Sequence, residues 1–146
     1  MIERKCYRIL LVDDEPNILD SMAMVLRSTG YDVTTAKHGT EALRKLELGP
    51  PDLLISDLNM PEMSGFELLS QVRLRYPTVQ LLAISGIYDA GGLAPEGVVA
   101  DGFYAKGRNR PEKLLGTVAE LIGKRRVPVS ESSVSQPPIL LPAASA

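Results

Sequence analysis

Four places in the sequence carry residues that could do chemistry together. Asp13-Asp14 follow Tyr7-Arg8-Ile9-Leu10-Leu11-Val12, Asp57 follows Leu53-Leu54-Ile55-Ser56, Ser85-Gly86 follow Val79 to Ile84, and Lys106 follows Gly102-Phe103-Tyr104-Ala105. Each alone has an ordinary explanation. An acidic pair before a proline marks a helix start, because negative charge favours the free N–H groups there. An aspartate ahead of Met60-Pro61 suits a turn, and a lysine is most often a solvated surface group. Converged on one spot, they say more. Carboxylates brought close repel one another, and each resists ionisation unless a cation lies among them. Oxygen-only ligands with few protein donors suit Mg²⁺, which keeps several waters and is completed by a phosphate oxygen. One carboxylate would then be left to attack phosphorus while the metal and the lysine neutralise the phosphoryl oxygens.

The elements needed to bring these residues together can be read from periodicity. Tyr7 to Val12 is a short apolar run stopped by acids, which predicts a strand covered on both faces. After Pro16, apolar residues at Ile18, Leu19, Met22, Val25 and Leu26 recur at helical spacing, and Gly30 stands where a helix would end. Tyr31 to Ala36 predicts a second strand, and Thr40 to Leu48 a second helix ended by Gly49-Pro50-Pro51. Leu53 to Ser56 is a third strand, Gly65 to Arg75 a third helix with Phe66, Leu69 and Val72 on one stripe, and Val79 to Ile84 a fourth strand. Between Tyr88 and Ala100 the pattern weakens at Gly91-Gly92 and Pro95, which predicts a short or irregular helix. Gly102 to Ala105 reads as a fifth strand, and Pro111 opens an amphipathic helix with Leu114, Leu115, Val118, Leu121 and Ile122 on one side. Five such pairs imply an α/β fold: a parallel sheet built by right-handed crossovers, with helices on both faces as a three-layer sandwich. Ligands of an open parallel sheet bind outside the carboxyl ends of its strands, where all four groups stand.

Composition bounds the rest. The chain has 146 residues, 45% of them hydrophobic, enough for one ordinary domain, expected over residues 1–126. Residues 127–146 are rich in Pro and Ser and are expected to form a disordered tail, with Ile139-Leu140-Leu141 as an apolar triplet. Sixteen basic and eighteen acidic residues are interspersed and sum to -2, which disfavours direct DNA binding because there is no basic field. Cys6 and His38 are the sole cysteine and histidine, so neither an internal disulfide nor a zinc cluster is available. No apolar run has the length of a membrane span or a signal-peptide core, and a cytoplasmic location is expected.

The segment Ser56-Asp57-Leu58-Asn59-Met60-Pro61-Glu62-Met63-Ser64-Gly65 closely resembles the region around the phosphorylated aspartate in the receiver domain of bacterial two-component response regulators. The acidic pair, the hydroxyl residue followed by a small one, and the late lysine occur in that family's order, and the likeness runs from about residue 7 to residue 124. The resemblance implies a flavodoxin-like (βα)5 fold with strand order 2-1-3-4-5. It implies that Asp57 is the phosphoacceptor, that Asp13 and Asp14 hold Mg²⁺ with Asp14 as the more direct ligand, and that the backbone carbonyl of Asn59 completes the protein's share. Ser85 corresponds to the hydroxyl that turns toward the phosphoryl group, Lys106 to the lysine that pairs with it, and Phe103 to the aromatic that rotates inward on activation.

Two positions depart from the family's pattern. Gly107 stands where a cis proline usually follows the lysine, and Gly91-Gly92 with Pro95 interrupts a segment that usually belongs to the signalling face. By resemblance the chain is not an enzyme but an acceptor. It takes its phosphoryl group from a sensor histidine kinase or a phosphotransfer protein, and signals to a downstream protein target by changing shape. The last two helices and the fifth strand are the expected contact surface, including that of a homodimer. The competing readings are an adaptor that no longer depends on phosphorylation and a metal-dependent phosphohydrolase. Asn59 disfavours the latter, because it occupies the place where an acid or base for a leaving group would be expected.

Overall fold

The computed structural model describes residues 6–86, 97–106 and 111–124. Its elements are β1 (Arg8–Val12), α1 (Pro16–Ser28), β2 (Asp32–Ala36), α2 (Gly39–Leu48), β3 (Leu53–Asp57), α3 (Gly65–Arg75), β4 (Gln80–Ser85), β5 (Gly102–Ala105) and α4 (Pro111–Gly123). The five strands form one parallel sheet of order β2-β1-β3-β4-β5, as the sequence pattern and the resemblance implied. The expected helix between Tyr88 and Ala100 falls mostly on residues 87–96, outside the described residues, and Val98 to Ala100 are not helical. Gly107, the 127–146 tail and the Ile139-Leu140-Leu141 triplet also lie outside them. Among the described residues, no helix is long and apolar enough to cross a membrane.

Strand alternation splits the interior in two. Ile9, Leu11, Leu53, Ile55, Leu82, Ile84 and Tyr104 point to one face, where α1 and α4 cover them with Leu19, Leu26, Val118 and Leu121. Leu10, Val12, Leu54, Leu81 and Ala83 point to the other, beneath Leu46 of α2 and Leu68, Leu69 and Val72 of α3. Every residue of β3 and β4 is buried, which explains why these strands read as unbroken apolar runs. Edge strand β2 is instead mixed, with Val33 and Ala36 buried and Asp32 and Thr34 exposed. Its outward carbonyls at Val33 and Thr35 accept hydrogen bonds from Arg27 of α1 and Lys45 of α2, so cationic side chains occupy the edge where another strand could add.

Local chemistry sets the helix starts beside the strand ends. The His38 ring accepts from the Glu41 N–H at 3.2 Å and the Glu41 carboxylate accepts from the Lys37 N–H at 2.8 Å, an exchange that fixes the entry to α2. The Ser64 hydroxyl accepts from the Glu67 N–H at the start of α3. Glu62, in the loop before it, holds a left-handed conformation at φ 68°. The tightest fit is at Gly65. A Cβ there would stand 2.0 Å from the Asp57 carbonyl oxygen and 2.6 Å from the Leu58 Cα, so only glycine lets α3 begin against the end of β3. The Gly65 N–H donates to the Leu58 carbonyl at 3.0 Å, and the Leu58 N–H donates to the Ile84 carbonyl at 2.9 Å. The backbone that presents Asp57 is thereby clamped from both sides.

Because backbone atoms cannot yield as a flexible side chain does, Gly65→Ala should lower the unfolding free energy by about 2–3 kcal/mol. Gly116→Ala, where an added Cβ meets nothing within 4 Å, should instead be neutral or stabilising by about 0.5–1 kcal/mol. Urea unfolding of the two variants beside the wild type measures both, and equal stability of Gly65→Ala would contradict the clamp.

Candidate functional site

The carboxyl ends of β1, β3 and β5 bring Asp13, Asp14, Asp57 and Lys106 together. Carboxylate oxygens of the three aspartates lie within 4.8 Å of one another. Asp13 is fully buried, Asp57 is 4% exposed, and Asp14 stands more exposed at the rim. Lys106 reaches the cluster from beyond β5, with its Nζ donating to Asp13 Oδ2 at 3.0 Å and lying 3.6 Å from Asp57 Oδ1. Its main-chain N–H is fixed by the Ser85 carbonyl at 2.8 Å, so the end of β4 aims the start of the lysine's loop.

The two members of the acidic pair are placed differently. Both oxygens of Asp13 are engaged, Oδ2 by Lys106 and Oδ1 by the Glu15 N–H at 2.9 Å, while its own N–H donates to the Ala36 carbonyl. Asp14 and Asp57 instead line an open cleft of about 260 Å³ together with Glu15, Asn59, Gly86 and Lys106. A water molecule's share of liquid volume is roughly 30 Å³, so the cleft holds a phosphoryl group and several waters. Its acidic lining is all-oxygen, which suits a hard divalent cation such as Mg²⁺ and not a soft metal. Glu15, whose Oε1 is 4.0 Å from the Lys106 Nζ, was not singled out in the sequence; its position directly after the acidic pair is the signal that could have found it.

Electrostatics express the crowding. Burial pushes the Asp57 carboxyl up from 3.8 to about 6; the Lys106 ammonium pulls it down, Asp13 pushes it up again, the Asn59 N–H lowers it and Asp14 raises it. Burial works against the Lys106 charge, but the hydrogen bond and charge of Asp13, with Asp57 and Glu15 behind it, outweigh that and raise its pKa. The lysine therefore stays cationic, whereas Asp57 ionises reluctantly unless more positive charge arrives.

Ser85 and Phe103 are close by but outside the cleft wall. Ser85 is the last residue of β4, fully buried, and its hydroxyl accepts a hydrogen bond from Asn59 Nδ2 at 3.0 Å. Phe103 pairs with Ala83 in the sheet and packs, half-buried, on the face covered by α2 and α3, alongside Val98, Val99 and Ala100. Tyr104 takes the opposite face and is buried against α4, so strand alternation resolves which aromatic points where.

The raised Asp57 value has a stability consequence. Between the unfolded value and about 6 the native state binds more protons than the unfolded chain, so stability declines as pH rises through that window. In metal-free buffer at about pH 7.5, Asp57→Asn should be more stable than wild type by on the order of 1–3 kcal/mol, a gain that vanishes below about pH 4. Urea unfolding across the pH range measures it, and a difference independent of pH would contradict the assignment.

Comparison with known proteins gives a consistent picture. The sequence profile of the family described as "Response regulator receiver domain" matches residues 9–105. The transcriptional regulatory protein GlrR of Escherichia coli is 37% identical over 99 residues, 68% of this chain and 21% of that protein. The alkaline phosphatase synthesis transcriptional regulatory protein PhoP of Bacillus subtilis is 40% identical over 85 residues, 56% of this chain and 35% of that protein. The chain thus spans a fifth to a third of the length of these curated relatives. Solved structures are themselves covered almost end to end: the chemotaxis response regulator CheY4 of Vibrio cholerae superposes with a TM-score of 0.73 at 34% identity, covering 80% of this chain and 99% of that one. A response regulator from Chloroflexus aurantiacus gives 0.74 at 30% identity, with 82% and 99% covered. Because the profile matches more than half of its length, this chain belongs to the response regulator receiver domain family, whose members are signalling phosphoacceptors.

Proposed function

We propose that Asp57 accepts a phosphoryl group with Mg²⁺ as cofactor, and that the chain passes a signal on by protein contact. The observation that carries this reading is the buried Asp57 carboxylate facing an open oxygen-lined cleft, with the Lys106 ammonium 3.6 Å away and Asp14 on the same wall. Asp14, Asp57 and the Asn59 carbonyl would hold the metal, which supplies the positive charge that lets Asp57 ionise and neutralises phosphoryl oxygens. Asp13 keeps Lys106 and the β1 loop in position. An Asp57 oxygen attacks phosphorus in line. A new O–P bond forms as the P–N bond of a donor phosphohistidine breaks, and the electron pair returns to the imidazole nitrogen. Lys106 pairs with the transferred oxygens throughout. Its side chain reaches the cluster even though Gly107 follows it.

A related structure supports the metal and the acceptor role: TrrA of Thermotoga maritima, at 34% identity and a TM-score of 0.69 over 79% of this chain, was solved in complex with Mg²⁺ and beryllofluoride. Donors of this chemistry are sensor histidine kinases and phosphotransfer proteins. The product acyl phosphate draws the Ser85 hydroxyl and frees space for Phe103, altering the surface of β5 and α4 that meets a downstream protein or a second copy. Such a protein works in the cytoplasm, where the donor kinase domains reside.

Incubation with acetyl phosphate and Mg²⁺ should add one phosphoryl group, seen by intact mass and released by hydroxylamine, in wild type but not in Asp57→Ala or after chelation. Lys106→Ala should slow the transfer by about 10²-fold or more. Modification that persists in Asp57→Ala, or none in a folded wild type, would contradict the proposal, and turnover of a model phosphate ester would favour a hydrolase.

A further inference from the structure

Asn59 lies two residues beyond Asp57 and is exposed at the cleft, yet its side-chain amide reaches back to the fully buried Ser85 hydroxyl at 3.0 Å. Asn59 and Gly86 line the cleft and Ser85 does not. The bond therefore ties a hydroxyl outside the cleft lining to a side chain that belongs to it. Ser85 is also tied through its carbonyl to the Lys106 N–H, so a displacement of Ser85 moves the base of the lysine loop. A hydroxyl can accept from one partner and donate to another, so the constraint is one of position: while Oγ stays on the Asn59 amide it stays outside the cleft lining.

We propose that the Asn59 side chain is a latch, a positioning residue that holds the Ser85 hydroxyl out of the cleft until a phosphoryl group draws it in. This deepens the phosphoacceptor reading and rests on it. The exchange is nearly balanced. A neutral hydrogen bond contributes little net free energy in contact with water, and the exposed amide regains water once released. The bond the hydroxyl donates to a charged phosphoryl oxygen is stronger than the neutral one it accepts from the amide, so it can draw Oγ to a new position. The latch is thus weak enough for the phosphoryl group to open and strong enough to bias the resting protein. The role belongs to the side chain alone, since Asn59→Ala leaves the backbone carbonyl, the proposed metal ligand, unchanged.

The test is a double-mutant cycle on beryllofluoride binding in the presence of Mg²⁺, followed by titration calorimetry with wild type, Asn59→Ala, Ser85→Ala and the double variant. Loss of one neutral hydrogen bond predicts that Asn59→Ala binds about 2- to 10-fold more tightly than wild type. The same substitution should change nothing in the Ser85→Ala background. Tightening that persists without Ser85, or no tightening with Ser85 present, overturns the latch. If wild type does not bind beryllofluoride at all, the phosphoacceptor reading fails, and the latch is read separately in metal-free protein. There, Ser85→Ala should speed solvent exchange of the Asn59 side-chain amide protons, and an unchanged exchange rate overturns it.

Discussion

The structure is organised around an unfavourable contact: three aspartate carboxylates within 4.8 Å at the ends of two adjacent strands, with one ammonium among them. Like charges at that distance in a place short of water cannot all ionise freely, and the strain falls on Asp57, whose carboxyl is pushed up to about 6. Both oxygens of Asp13 are occupied, one by Lys106 and one by the Glu15 N–H. Lys106 is held by Asp13 and only shared with Asp57, so the positive charge present is not enough for both. A cation in the cleft would complete the balance. A group whose charge is incompletely compensated at rest is the group whose interactions change most when a metal and a phosphoryl group arrive.

A fold that keeps such a contact must resist relaxing away from it. The two apolar faces of the sheet supply the general resistance, with β3 and β4 buried along their whole length. The specific resistance is local. Gly65 lets α3 press on the Asp57-Leu58 backbone, and the Leu58 N–H is bonded across to β4, so Asp57 cannot swing outward. On the far side, the Ser85 carbonyl sets the Lys106 N–H. The same strand end thus anchors the lysine through its backbone and meets Asn59 through its side chain, which couples the charge balance in the cleft to the position of one hydroxyl.

Much of this is legible in the chain itself. Continuous apolar runs at Ile9 to Val12, Leu53 to Ser56 and Val79 to Ile84 mark strands covered on both faces, and the polar residue ending each run marks the site. Residue pattern alone does not divide the labour inside Asp13-Asp14, where only the resemblance favours Asp14, because adjacent residues of one type differ only in which hydrogen bonds the turn offers them. Asn59 was read for its carbonyl, since a side chain's reach to Ser85, 26 residues away, depends on tertiary placement. Which face Phe103 and Tyr104 each take is set by the register with Ala83 and Ile84, which assigns them to opposite sides of the sheet. Gly65 could be read as a helix start but not as a contact with the Asp57-Leu58 backbone at the end of β3, because that closeness exists only once the helix has docked.

The most direct test is a carboxyl ¹³C NMR titration that follows Asp57 itself, without and with Mg²⁺. The account predicts an apparent pKa near 6 in the metal-free protein, falling with saturating Mg²⁺ to or below the ordinary carboxylate value of 3.8. An Asp57 that titrates at the ordinary value in the metal-free protein, and is indifferent to Mg²⁺, would contradict it.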